Sequence, residues 1–506
     1  MFVKFNKVSF SYDSSDNILN DVSFHIDNTC TAIVGENGCG KTTLAKLITG
    51  ILKPNFGSIE YSNKNIISAY CNQECVDLPN NSESLFYDNS SYSGYLTSIF
   101  KIDYSYLYRF DTLSFGERKR FQIASALYSN PDILVLDEPT NHIDNECKDI
   151  LVNVIKRLDC IVIIISHDID FLDELVSKCI FIRNGECKVR IGNYTQCRYY
   201  EKEEENYNFS LYEESKKKSK ILENRYKKLQ NESDAKKSKF GSKRHIDKKD
   251  HDAKAKVDAA RLTGKDAKLA AKAKQAKSLY NKSIVEKEAI YIKKREVMNM
   301  EFIGEKYKGK FLFYLEAGET KINNIVFKNP ELIIIIKKNT RVCIEGVNGA
   351  GKTTLLNYIL KTMYDNSISK EKIVYIPQDI DRDDWNDTFN NIKALNHESL
   401  GFLMSFVNRL GSNAKSVINS LNHSPGEMRK IMLGMAVIKN PYIIILDEPT
   451  NHLDIDSIER LEEALISFNC ALLIVSHNKN FLKRIVDTKW ILNKTNDYTI
   501  INIENK

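Results

Sequence analysis

The sequence predicts an α/β protein: two doubly wound phosphate-loop domains in tandem, joined by a long α-helical hairpin. Three observations carry that expectation. The chain repeats its motifs with a period of about 310 residues, far longer than a solenoid repeat. Each copy alternates β-rich runs with stretches of helical apolar spacing. Between the copies lies a Lys- and Glu-rich segment whose composition favours helix.

The repeat is explicit. TAIVGENGCGKTT (Thr31 to Thr43) returns as VCIEGVNGAGKTT (Val342 to Thr354). LVLDEPTNHID (Leu134 to Asp144) returns as IILDEPTNHLD (Ile444 to Asp454), and IIISHDIDFL as LIVSHNKNFL. Lys41 to Asp137 spans 96 residues and Lys352 to Asp447 spans 95, while the step on to His167 or His477 is 30 in both copies. The expected domains are 1–198 and 301–506, with a linker over 199–300. In each copy a β-rich run ends in the Gly loop, and TLAKLITGIL or TLLNYILKTM follows as a helix. ILVLD, IIILD, IVIIIS and ALLIVS read as strands buried on both faces.

Composition bounds the class. The 506 residues are 42% hydrophobic and 28% charged, as expected of a globular chain with real cores. No aliphatic run is longer than five residues, as in Ile161 to Ile165 and in Leu332 to Ile336, which contains the isoleucine run Ile333 to Ile336, so no membrane span is expected. The opening MFVKFNKVSFSY reads as a strand and not as a signal peptide. Eleven cysteines without a CxxC pair argue against a zinc site or a disulfide framework, and a reducing cytoplasm is expected. Charge is uneven. The chain carries +6 overall, but Ser215 to Met300 holds 27 Lys or Arg against 11 Asp or Glu. A mildly acidic body thus carries one strongly basic segment, which suggests a polyanionic partner for that segment.

Both Gly loops fit GxxxxGK[ST]. Gly35, Asn37, Gly38, Gly40, Lys41, Thr42 and Thr43 form the first; Gly346, Asn348, Gly349, Gly351, Lys352, Thr353 and Thr354 form the second. Glycines let backbone N–H groups close around phosphate oxygens, and the following helix points its positive end at them. Lys41 and Lys352 are expected to reach the β and γ phosphates of ATP, and Thr42 and Thr353 to hold Mg²⁺. Asp137 and Asp447 end apolar strands and are expected to bind Mg²⁺, with Glu138 and Glu448 polarising the attacking water. His167 and His477 end the next strands, where they would sense the γ-phosphate. Gln73 and Gln378 are further ligands for Mg²⁺ and water. Tyr12 is a candidate to stack on the base; in the second copy Phe313 and Tyr314 are both possible.

LSFGE (Leu113 to Glu117) and HSPGE (His423 to Glu427) each place a serine 23 residues before the strand-end Asp. They occupy the place of the LSGGQ signature of ABC ATPases. With DEPTNHID and DEPTNHLD, the chain resembles the twin-cassette ABC-F family over nearly its whole length. The resemblance implies a head-to-tail sandwich with two composite ATP sites, one joining the Gly35 loop to Ser424 and the other the Gly346 loop to Ser114. Ser114, Gly116, Glu117, Ser424, Gly426 and Glu427 would line them. Phe115 and Pro425 replace the first signature glycine, and His423 replaces the usual leucine. Two competent but unequal sites are therefore expected.

The linker helices are expected over about Glu201 to Gln230 and Asp266 to Tyr291, with a tip carrying Phe240, Lys243, Arg244, His245, Lys248 and Lys249. Basic residues beside an aromatic suit structured RNA. The linker is similar to those of ABC-F members that protect ribosomes from lincosamides, streptogramin A and pleuromutilins. That resemblance implies a bacterial 70S ribosome as partner, through large-subunit rRNA and P-site tRNA, with no membrane domain, no DNA, and a monomer away from the ribosome. A general translation factor of the same family and a transporter ATPase subunit are the alternatives.

Overall fold

The computed structural model describes residues 1–12, 17–63, 65–141, 143–241, 265–289, 307, 309–323, 325–329, 333–347, 349–366, 368–378, 380, 382–412, 414, 424–451, 453–495 and 497–505; at 145, 235–241, 265–270, 289 and 382–384 only the backbone is described. Lys243, Arg244, His245, Lys248, Lys249, Asn348 and His423 lie outside these residues, as does the side chain of Phe240. Two compact units emerge: Met1–Cys197 together with Val297–Lys506, and Arg198–Glu296.

The first unit holds two α/β domains. In the first, strands Ser68–Cys71, Ile133–Asp137, Ile161–Ile165, Cys30–Val34 and Lys178–Arg183 lie side by side in that order, all parallel. Glu186–Ile191 closes the edge antiparallel to Lys178–Arg183. The second domain repeats the parallel order with Ile373–Ile376, Ile443–Asp447, Ala471–Val475, Arg341–Gly346 and Thr488–Lys494. Strand residues alternate between two cores. Ile133 and Val135 pack with Ile33, Leu44 and Leu47 on one face. Leu134 and Leu136 pack with Phe121, Ile123 and Leu151 on the other. Burial on both faces is why these strands read as unbroken aliphatic runs.

The domains differ at their periphery. In the first, Phe2–Phe10 pairs antiparallel with Leu19–Asp27 and Phe56–Tyr61 in a separate three-stranded sheet. In the second, the hairpin Gly318–Ile322 and Ile325–Asn329 joins the main sheet through Thr499–Asn505, leaving Phe313–Leu315 to pair with Ile334–Ile336. The domains also touch. Ile455, two residues from the end of the DEPTNHL motif, packs among the core residues of the first domain.

The second unit is built from helix Tyr194–Gly241, from Arg198 onward, and helix Lys265–Ala289, which run antiparallel. Tyr226 stacks on Tyr280 with ring centroids 6.4 Å apart, and Lys218 pairs with Glu286 at 3.5 Å. At 1.5 Å per residue the 48-residue helix is about 72 Å long. It starts at Tyr194, seven residues earlier than composition suggested. The cause is a cap: Asn193 Oδ1 accepts from Gln196 N at 2.9 Å, and Gln196 Oε1 accepts from Asn193 N at 3.3 Å.

Candidate functional site

Each phosphate loop is shaped by glycines that have no substitute. A Cβ on Gly35 would stand 2.9 Å from Ile182 O, and one on Gly346 2.8 Å from Leu492 O. Gly40 and Gly351 cap the following helices, Lys41–Ile48 and Lys352–Asp365, at φ 101° and 95°. Those conformations are open to glycine and strained for other residues. Gly38 and Gly349 hold φ 79° and 76°.

The lysines fold back over their own loops. Lys41 Nζ donates to Gly35 O at 2.8 Å, Glu36 O at 3.1 Å and Asn37 Oδ1 at 3.3 Å. Lys352 Nζ donates to Gly346 O at 2.6 Å. Thr42 Oγ1 donates to Asp137 Oδ2 at 3.2 Å, and Thr353 Oγ1 to Asp447 Oδ2 at 3.4 Å. A threonine hydroxyl facing a strand-end carboxylate is a set of hard oxygen donors, which fits Mg²⁺. Tyr70, which sequence reasoning missed, donates to the same Asp137 oxygen at 2.8 Å. Burial raises the Asp137 carboxyl above its usual range. Tyr12 is 54% exposed beside the loop, and its hydroxyl lies 3.2 Å from Thr43 Oγ1. Thr354 is half-buried in the second loop helix, whereas its counterpart Thr43 is buried.

Phe313 is removed as a candidate for base stacking. It is 1% exposed and packs in the core against Tyr358, which leaves no face for a base. Tyr314 is 43% exposed.

Glu138 and Glu448 follow the strand ends with positive φ, 47° and 44°. Their N–H groups donate to Ile165 O and Val475 O, both at 2.8 Å, which pins the turn to the neighbouring strand. Such strain persists only where the surroundings over-determine it, and it clusters at functional sites. Burial, and then the adjacent Asp137, push the Glu138 carboxyl up to about 8. Burial, and then Asp447, push Glu448 up to about 7. The histidines differ. His167 Nε2 lies 3.0 Å from Glu138 Oε1. His477 Nε2 lies 3.1 Å from Lys352 Nζ and 3.6 Å from Glu448 Oε1. Burial, and then Lys352, lower His477 to about 4, so its neutral Nε2 accepts from the lysine.

The signature serines cap helices. Ser114 heads Phe115–Tyr128 and Ser424 heads Pro425–Ile438, each in a reciprocal capping box with Glu117 or Glu427. Gly116 and Gly426 lie in the first turns. Pro425 occupies the first helical position, where its fixed φ suits the helix and its missing N–H has no intrahelical partner to lose. The departure from glycine therefore has a helical rationale, at the cost of one donor toward a phosphate.

Across the domain boundary, Asn37 N donates to Asp454 Oδ2 at 3.1 Å. Asp454 ends the DEPTNHLD motif, and sequence reasoning had not singled it out, although the repeated motif marks it. Burial alone would raise its carboxyl, but Lys430, Ser457 and Asn37 together hold it below the usual range. Asn480 Nδ2 donates to Asp170 Oδ1 at 2.8 Å across the same boundary. Asp144, Gly346, Val347 and His477 line one cavity of about 350 Å³. Each phosphate loop thus has the other domain's motif-end aspartate beside it.

The family model described as "ABC transporter" matches residues 19–141 and 331–451. The ribosome protection protein VmlR of Bacillus subtilis (strain 168) is 29% identical over 466 residues, 91% of this chain and 81% of that protein. The ATP-binding protein Uup of Buchnera aphidicola subsp. Schizaphis graminum is 28% identical over 500 residues, 91% of this chain and 75% of Uup. The erythromycin resistance ATP-binding protein MsrA of Staphylococcus epidermidis is 28% identical over 513 residues, 97% of each chain. The solved structure of an RNase-L inhibitor shares the fold at TM-score 0.59 and 16% identity, with 98% of this chain and 90% of that one covered. Among the described residues, no helix is long and apolar enough to cross a membrane.

Proposed function

We propose, from the premise that this chain is a twin-cassette ABC ATPase of the ABC-F family, that it protects bacterial ribosomes from antibiotics bound at the peptidyl-transferase centre. The observation that carries the reading is the +16 segment inserted between two intact ATP-binding domains, together with likeness over nine-tenths of the chain to a ribosome protection protein. A transporter ATPase has no use for that basic insertion.

In the proposed cycle ATP joins Lys41 and the Gly35 loop to Ser424 and Gly426, and Lys352 and the Gly346 loop to Ser114 and Gly116. The lysines exchange loop carbonyls for the β and γ phosphates. Thr42, Asp137 and Gln73 in one site, and Thr353, Asp447 and Gln378 in the other, would hold Mg²⁺, which neutralises developing phosphate charge. Glu138 and Glu448 orient and deprotonate the attacking water. His167 and His477 steady the γ-phosphate. The closed form binds the exit site of the 70S ribosome, and the linker tip at Phe240, Lys243, Arg244, His245, Lys248 and Lys249 displaces P-site tRNA and reaches the drug site. Hydrolysis reopens the cassettes and releases the protein.

The test is ribosome co-sedimentation of Glu138→Gln/Glu448→Gln with ATP, with and without lincomycin or a pleuromutilin. ATP-dependent pelleting with displacement of bound drug is expected. Pelleting without displacement would favour a general translation factor. No pelleting at low salt would overturn both readings.

A further inference from the structure

Two buried cations stand outside the nucleotide chemistry described so far. Lys119 and Arg429 each lie five residues after a signature serine and are 3% and 2% exposed. A charge is tolerated in such a place only when hydrogen bonds replace its water. Each finds carbonyls from two loops at once. Lys119 Nζ donates to Asn72 O at 2.6 Å and Gln73 O at 3.3 Å on one loop, and to Asp137 O at 2.9 Å on the other. Arg429 donates to Gln378 O at 2.6 Å, and to Glu448 O and Asn451 O, both at 2.9 Å. Both cations, both glutamines, Phe115 and Pro425 line one cavity of about 150 Å³ between the cassettes.

We propose that Lys119 and Arg429 are positioning residues that couple the two ATP sites, each fixing the catalytic loops of one site to the helix whose serine serves the other. The proposal rests on the composite-site reading above. The helix headed by Ser114 serves nucleotide on the Gly346 loop, yet Lys119 ties it to Gln73 and Asp137 of the first site. The helix headed by Ser424 serves the Gly35 loop, yet Arg429 ties it to Gln378 and Glu448 of the second. When a serine engages a γ-phosphate, its helix carries the cation along, and the cation draws the other site's loops into place. The ties are unequal. The guanidinium fork reaches the carbonyl of Glu448 itself, whereas the single ammonium of Lys119 stops at Asp137.

The experiment follows ATP turnover against ATP concentration, and binding of a fluorescent ATP analogue, in the full chain carrying Lys119→Met, Lys119→Arg, Arg429→Met or Arg429→Lys. Wild-type turnover is measured first; its absence in a folded chain would indict the ATPase reading, a failure separate from that of coupling. Coupling expects the Met variants to lose about 10- to 100-fold in kcat, as misplaced catalytic groups do, with nucleotide affinity within about threefold. It also expects a wild-type Hill coefficient above 1 that falls toward 1 in the Met variants. Lys119→Arg should restore most of the turnover, and Arg429→Lys, which keeps the buried charge and so the fold, should lose part of it. Unchanged cooperativity in every variant would overturn the proposal. So would a wild-type Hill coefficient of 1, or a parallel loss of affinity, turnover and melting temperature, which marks a purely structural role.

Discussion

Gly35 and Gly346 face backbone carbonyls so closely that one methyl group decides the loop. With Ile182 O and Leu492 O within 3 Å of a built Cβ, Gly35→Ala or Gly346→Ala must push the loop off its strand. Nucleotide affinity at the altered site should fall by about tenfold or more, an energetic shift of about 1.4 kcal/mol, readable with a fluorescent ATP analogue. Tyr70 offers a second residue-scale test. Its hydroxyl bonds a buried carboxylate, so Tyr70→Phe should cost about 1.5–3 kcal/mol in chemical denaturation. The loop glycines and Asp137 were legible because their motifs fix them. Tyr70 was not, because only the parallel pairing of Ser68–Cys71 with Ile133–Asp137 brings it to Asp137.

At the scale of elements, the signature helices depend on their caps. Ser114→Ala or Ser424→Ala removes a reciprocal capping box and should cost about 1 kcal/mol of stability, measured by denaturant titration. Turnover should fall further than stability, because the same serine faces phosphate in the proposed site. The linker hairpin is pinned by the Tyr226–Tyr280 stack. Tyr280→Ala should weaken it by about 0.5–1.5 kcal/mol, seen as faster amide exchange along Lys265–Ala289. Composition alone identified both linker helices. It set the first one's start late, because the Asn193–Gln196 cap is a three-residue reciprocity that residue composition does not register.

For the whole molecule, the uneven charge sets the salt response. If the linker tip meets rRNA, replacing Lys243, Arg244, Lys248 and Lys249 with Gln removes four phosphate contacts at most. The slope of log affinity against log salt should then fall by about 3, from about 0.7–0.9 per contact. Ribosome pelleting across a salt series measures it, and an unchanged slope would place the contacts elsewhere. Glu138→Gln/Glu448→Gln bears on the same scale: with ATP it should remain ribosome-bound for many turnover times of the wild type.

The sequence by itself determined the two ATP-binding domains, their duplicated motifs and the helical character of the basic insertion. It could do so because phosphate loops, strand-end acids and aliphatic strands are local patterns that physical chemistry ties to one backbone form. Only the tertiary structure decided what meets across the chain. It put Asp454 against Asn37 and buried Phe313 beneath Tyr358. It also turned Lys119 and Arg429, which no sequence motif had singled out, inward onto the carbonyls of two loops. Those contacts join residues from 18 to 417 positions apart. No local pattern encodes such a pairing; sheet order and helix packing do.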